Sequence, residues 1–410
     1  MTCFKGWKRW TVAVICMFLH SSAEGLSTRV NCENKKITYV RKVDFRYVEW
    51  AGSKGMLPLQ VYHNRMSKKE FEPWLRKPLP SEWKSGIDHD RHIASEAELI
   101  ASNKERKEAK ASIPLDPNIH LNLIYIDAHI IVVDKVSGVL SVPGPKRNPS
   151  TANLVHEYFG NEENCVDSMV VHRLDMDTSG IIIYARSKHV LSILHDAFRN
   201  KSEQNDEDTV SKQYEALVCG HVPVYEGEIE FPLVRDKQHP PFMKVYTGSD
   251  DDDNLIEYNK EIMPLHKHKG YVKMVSKAPK DSLTLFRVKS YEYLDGKPYL
   301  PVTRIALYPI TGRTHQLRVV CASIGHPIVG DSIYGAFGDG SRNGGFSEEI
   351  MSKTFDRRAS YPLQMAIHNY VTNKLTSTEK SWELCLHAKQ LTISHPITGS
   401  PMMFSSDAPF

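Results

Sequence analysis

The chain has 410 residues, of which 41% are hydrophobic and 25% charged. These are proportions of a folded globular protein rather than of a disordered or fibrous one. A net charge of +3 provides no global basic field, so any surface that attracts a polyanion has to be local. The seven cysteines are scattered, with no CxxC and no Cys/His ligand spacing, which excludes a disulfide scaffold and a zinc ribbon.

In chain order, Lys5, Lys8 and Arg9 precede a short apolar run, "TVAVICMFL", and small residues at Ser21 and Ala23. That order reads as a signal-like targeting segment over residues 1–23, cleaved after Ala23. The run is short for a transmembrane helix, so no stable membrane span is expected. The address it suggests is an organelle (plastid or mitochondrion) or the secretory route, with the cytoplasm as the alternative. Residues 24–112 read as an N-terminal extension, partly flexible. Aromatic-basic clusters are followed there by "SEAELIASNKERKEAKAS", rich in helix formers but without an apolar stripe, hence an exposed helix or a linker.

The texture changes at Ile113. "LNLIYIDAHIIVVDKVSGVLSVPGP" reads as two strands ending in a Pro/Gly loop, and "TANLVHEYFG" as a helix capped by Ser150 or Thr151. "VVHRLDMDTSGIIIYA" sets a polar loop between two β-branched runs, with Val170-Val171 as one strand and Ile181-Ile182-Ile183 as the next. "KHVLSILHDAFRN" has helical spacing. The segments "QYEALVCGHV", "GEIEFPLV", "LTLFRVKSYEYL" and "VTRIALYPI" read as strands, "RTHQLRVVCASIG" as a helix and "LCLHAKQLTISHPITG" as strand-rich. An acidic loop near 203–208 and a solvated insertion over 248–268 lengthen two connections. Many strands, few helices and no regular βαβ alternation point to an α+β domain over 113–405 around a largely antiparallel sheet.

Four charged clusters stand in apolar surroundings: "HRLDMDTSG" (172–180), "SKQYEALVCG" (211–220), "GRTHQLRV" (312–319) and "LHAKQLTISHP" (386–396). A carboxylate in a partly dry pocket needs a cationic partner to stay ionised, and Arg313 and Arg318 are candidates because a guanidinium pairs bidentately and keeps its charge. Asp175 and Asp177 lie too close in sequence to flank a sugar as a glycosidase pair. Asp177 reads as a turn-shaping residue whose side chain bonds its own backbone. His172 and His315 are expected to order their loops by hydrogen bonds rather than to bind metal.

These clusters, taken in order, resemble the RluA-type family of RNA pseudouridine synthases over residues 119 to 400. The resemblance lies in "LIYIDAHIIVVDKVSGVLSVPG", "HRLDMDTSG", "KQYEALVCG", "GRTHQLRVVCASIGHPIVGDSIYG" and "LHAKQLTISHPITG". It implies the pseudouridine synthase fold, a mixed, largely antiparallel sheet in two lobes flanked by helices, with a central cleft. It further implies that uridine in rRNA or tRNA is isomerised without cofactor or metal by a chain acting as a monomer. Asp175 would be the reacting carboxylate. Tyr214 would stack on the target base and assist removal of the carbon-5 proton, and Arg318 would pair with Asp175 and keep it ionised. Arg173 would fill the gap left by the flipped nucleotide, and Arg313, His315 and Gln316 would contact RNA. The alternatives are a catalytically inactive RNA-binding protein with the same fold and a hydrolase using both aspartates. No S4-type RNA-binding domain is recognisable before residue 113.

Overall fold

A computed structural model describes residues 60–63, 111–144, 147–161, 165–200, 210–248, 278–294, 300–355, 357–377 and 384–410. The targeting segment, most of the extension, the acidic loop at 203–208 and the insertion at 248–268 (Gly248 apart) lie outside the described residues.

One mixed sheet of eleven strands organises the rest. The strands are β1 (Gln60–His63), β2 (Leu123–Ile126), β3 (Ile130–Lys135), β4 (Ser179–Ala185), β5 (Ser211–Cys219), β6 (Glu226–Arg235), β7 (Met243–Val245), β8 (Lys280–Tyr293), β9 (Pro301–Pro309), β10 (Leu386–Ser394) and β11 (Pro401–Ser405). Their spatial order is β2-β3-β4-β10-β5-β9-β8-β6-β7, with β11 on β10 and β1 on β11. Among the described strands, only the β4–β10 and β1–β11 pairings are parallel. The last of these was not legible in the extension: a four-residue strand far upstream extends the sheet at the C-terminal strand.

Strand alternation sorts side chains between two faces. In β3, Ile130 and Val132 join one core cluster while Ile131 and Val133 join another. Helix α1 (Thr151–Phe159) covers the second of these faces with Leu154, Val155 and Phe159, and is capped by Ser150. Helix α2 (Lys188–Asn200) covers the first with Val190 and Leu194. Around β5, β6, β8 and β9 a separate, larger core takes in α3 (Gln316–Ser323) and α5 (Tyr361–Ser377), through residues such as Val319, Val320 and Ile367. The sheet therefore carries two lobes with β10 at their junction.

Two details differ from the sequence reading. Val170-Val171 is not a strand; Val170 makes a single bridge to Tyr184. Two helices, α4 (Glu348–Thr354) and α5, occupy a stretch with no strong apolar periodicity of its own. The junction itself depends on Gly180, whose φ of +110° suits glycine and whose missing Cβ leaves room for the Ala388 carbonyl, 2.4 Å from where that atom would sit.

Candidate active site

Cross-strand register brings the four sequence clusters together. Gly180 of β4 lies opposite Ala388 of β10, Ala388 opposite Tyr214 of β5, and Tyr214 opposite Leu307 of β9. The 172–178 loop enters β4 at one end of this row, and the turn after β9 leads into α3 beside it. Between them opens a cleft of about 550 Å³ whose wall includes Arg173, Asp175, Tyr214, Arg313, His315, Gln316 and Arg318.

The Asp175 loop is held by its main chain. Lys135, wholly buried, donates from its ammonium to the carbonyls of Val136, Val139 and Met176 at 2.8–3.0 Å. Ser141 Oγ donates to Leu174 O at 2.7 Å and accepts from Leu174 N at 3.0 Å. Ser137 Oγ donates to Asp177 O at 2.7 Å, and Gly138 N to Met176 O at 2.9 Å. The "DKVSGVLS" stretch is thus a clamp on the residues either side of Asp175. The Asp175 side chain itself is 31% exposed and faces the cleft.

Opposite it, Arg318 is 2% exposed. Its Nε and Nη2 donate to the two carboxylate oxygens of Asp331 at 2.9 and 2.6 Å, a bidentate fork with short, charge-assisted bonds. Its Nη1 lies 3.6 Å from Asp175 Oδ2. Arg318 therefore does not have Asp175 as its main partner: the fork's better-aligned edge belongs to Asp331, and Asp175 faces what remains. Burial alone would raise the Asp331 carboxyl, but the guanidinium and the N–H groups of Ile333 and Tyr334 hold it below its ordinary value. Burial works against the Arg318 charge too, and Asp331, then Asp175 and Asp177, outweigh it and push Arg318 up. Asp177 enters here differently from expectation. Its carboxylate is buried and adds to the negative field on Arg318, while its main-chain carbonyl takes the bond from Ser137.

His315 is in the left-handed region, φ 52°, immediately before α3, a conformation for which His is more often found than most non-glycine residues. Its Nε2 is 3.9 Å from Asp175 Oδ1 and its Nδ1 3.1 Å from the Tyr334 hydroxyl. Tyr214 is half-buried, and burial, followed by the charge of Asp175, raises its phenol well above the usual range.

Gln316 departs from the RNA-contact expectation. Its carbonyl oxygen accepts from Thr311 Oγ1 and Arg313 N, and its amide donates to Leu283 O and Thr284 Oγ1. All four hydrogen-bonding positions of the amide are occupied by protein, so Gln316 fastens the β9–α3 turn to β8. Arg313 donates from Nε to Asp281 O at 2.9 Å and makes no ion pair among the described residues. Arg173 is exposed at the mouth of the cleft and has no hydrogen bond or ion pair among them.

Three further side chains line the wall. The Lys212 ammonium sits 4.3 Å from the centroid of the Phe198 ring and is lowered by burial to about 8. His172 stacks on the same ring at 5.0 Å and accepts the Ile183 N–H at Nε2. Burial, and secondarily Lys212, put its pKa well below the ordinary value, so it serves as a neutral acceptor that orders the loop. Among the described residues no group of three His, Cys, Asp or Glu side chains is disposed to hold a metal ion, and no helix is long and apolar enough to cross a membrane.

A family model described as RNA pseudouridylate synthase matches residues 129–323. The dual-specificity RNA pseudouridine synthase RluA of Haemophilus influenzae is 30% identical over 299 residues, 72% of this chain and 96% of that protein. The protein of the same description in Escherichia coli is 30% identical over 294 residues, 71% of this chain and 94% of its own. The chain belongs to the RluA-type family of RNA pseudouridine synthases. Within this family member, the residues that sequence reasoning missed are Asp331, Lys135, Lys212 and Tyr334. Asp331 and Tyr334 lie in "GDSIYG" and Lys135 in "VDKVSG", both inside segments quoted for the resemblance. The usable signal was a charged or phenolic residue flanked by apolar ones and small turn residues, which marks a buried polar group that needs a partner.

Proposed function

We propose that this synthase isomerises uridines in structured rRNA or tRNA to pseudouridine with Asp175 as the reacting carboxylate. The observation that carries this is the setting of Asp175: a half-exposed carboxylate on a clamped loop, with Arg318 Nη1 near one oxygen and His315 Nε2 near the other. A carboxylate so placed is open to substrate and supported electrostatically from behind. The reaction breaks the bond between N1 of uracil and the ribose carbon and forms a bond from carbon 5 to that carbon. Carbon 5 loses its hydrogen as a proton and N1 gains one, so no oxidant or reductant is consumed.

A uridine reaches the cleft only by leaving its stack, which suits loops and bulges. Arg173, exposed and unpaired among the described residues, is assigned to the space the nucleotide vacates. Arg313 and Lys212 are assigned to backbone phosphates, contacts that supply sequence-independent affinity. Tyr214 is assigned to stacking on the uracil. Its phenol is held protonated by burial and by Asp175, which favours stacking over service as a phenolate base. The working unit is assigned as a monomer. Residues 1–23 are assigned to delivery rather than to chemistry.

The test is incubation of purified protein with cellular RNA, followed by digestion and nucleoside analysis. Pseudouridine formed without free uracil is expected. Free uracil would mean a hydrolase, and unchanged nucleosides with bound RNA would mean an inactive RNA-binding protein.

A further inference from the structure

Tyr334, wholly inside the second lobe, has a hydroxyl with two hydrogen-bonding neighbours among the described residues. Its oxygen accepts the main-chain N–H of Met243 at 3.0 Å, and it lies 3.1 Å from His315 Nδ1. A main-chain N–H has no lone pair to offer, so the phenolic hydrogen has Nδ1 as its acceptor. Leaving that hydrogen unshared at such depth is what buried polar groups avoid. Burial pushes the Tyr334 phenol up, against the opposing Met243 bond and Arg318 charge, so the oxygen keeps its proton. An imidazole that accepts at Nδ1 carries its own hydrogen on Nε2. Nε2 is the atom 3.9 Å from Asp175 Oδ1.

We infer that Tyr334 fixes the tautomer of His315, and that His315, through Nε2–H, is a positioning residue that orients Asp175 against Arg318. The inference rests on Asp175 being the reacting carboxylate. Donor and cation then address different oxygens of one group: Nε2–H faces Oδ1 and Arg318 Nη1 faces Oδ2. Both distances are longer than a hydrogen bond, as catalytic contacts often are before substrate fills a site. The left-handed backbone at His315 has a reason in this arrangement. With His315 in this conformation just before α3, one ring nitrogen meets Tyr334 and the other faces Asp175 in the cleft. Conformations of this kind in non-glycine residues are retained at functional sites when the surroundings hold them. The ring is held by Tyr334 edge-on at 5.8 Å, with Phe242 at 6.2 Å.

The experiment uses full-length protein labelled with ring-¹⁵N histidine, with the His315 signal assigned by its loss in His315→Gln. The free protein should show the Nε2–H tautomer, and Tyr334→Phe should lose that preference. In single-turnover assays Tyr334→Phe should slow pseudouridine formation by about tenfold to a hundredfold while RNA binding is unchanged, as expected when a reacting group is misplaced. His315→Gln retains an N–H at the right end of the side chain and should be clearly faster than His315→Leu, since both substitutes bear a similar cost at φ 52°. An Nδ1–H tautomer in the free wild-type protein would overturn the inference, as would equal rates for the Gln and Leu variants. An Asp175→Asn protein of full activity would remove the positioning role and the functional reading together, while leaving the tautomer assignment standing in the same spectrum.

Discussion

The two walls of the cleft are rigid in opposite ways. On the β4 wall the main chain is fastened, by Lys135, Ser137 and Ser141, and the Asp175 side chain is left reaching into the opening. On the α3 wall it is the Arg318 side chain that is fastened, buried and forked onto Asp331. A reacting carboxylate has to follow its substrate along the reaction, whereas a charge that supports it is most effective when already in place. The buried Arg318–Asp331 pair therefore does more than hold the fold together. It is a mount that gives a cation a fixed position one contact away from Asp175.

The largest effect should come from dismantling the mount. Asp331→Asn leaves a buried guanidinium short of its partner, at a cost of about 3–5 kcal/mol, read as a loss in denaturant midpoint. It should also change the pH dependence. The folded-state pKa of Asp331 is depressed, so its contribution is present above the unfolded carboxylate value of about 3.9 and is lost as pH falls below it. Wild-type protein should therefore lose stability in acid more steeply than Asp331→Asn.

The opposite wall offers a smaller break. Lys135→Met takes the ammonium from the carbonyls of Val136, Val139 and Met176, of which the last keeps the Gly138 N–H, and should cost about 1–3 kcal/mol. Catalysis should slow because Asp175 loses its anchorage, with the Arg318–Asp331 pair untouched. Equal damage to both walls, seen by backbone hydrogen exchange at α3, would contradict their independence. Gln316→Leu sharpens the contrast from within the α3 wall. It should lower stability by about 1–3 kcal/mol with RNA affinity unchanged, whereas Arg173→Ala should leave stability alone and weaken binding. The smallest effect belongs to Lys212. Its ammonium is charged below about 8 and neutral above, so RNA affinity should fall as pH rises from 7 to 9. Lys212→Met should flatten that dependence and reduce the salt slope by about one.

Much of this was legible beforehand because it depends on local pattern. β-branched alternation marked the strands, Ser150 or Thr151 marked the start of α1, with Ser150 the cap that forms, and the polar loop before Ile181 stood out against apolar flanks. The order of the four clusters led to a common cleft through their resemblance to a family. What was not legible is how side chains divide their hydrogen bonds once folded. Arg318 could be matched to an acid, but the sequence does not say which edge of the guanidinium meets which carboxylate, and Asp331 took the better one. Gln316 sits in a motif with basic neighbours, yet its amide is consumed by β8 and the turn. Lys135 looks like a surface lysine until two nearby carbonyls, Val136 and Val139, and that of Met176, some forty residues later, close over it. The parallel pairing of Gln60–His63 with β11 joins residues more than three hundred positions apart, beyond any local signal.

In the proposed reaction Asp175 does the chemistry while the opposite wall holds it ready. The most direct measurement is single-turnover tritium release from RNA carrying carbon-5-labelled uridine, comparing wild type with the isosteric Asp175→Asn at saturating protein. Wild type should release tritium and the variant none above background, with RNA affinity within about twofold between them, since no phosphate contact is assigned to Asp175. Release by the variant at a comparable rate would contradict that role for Asp175.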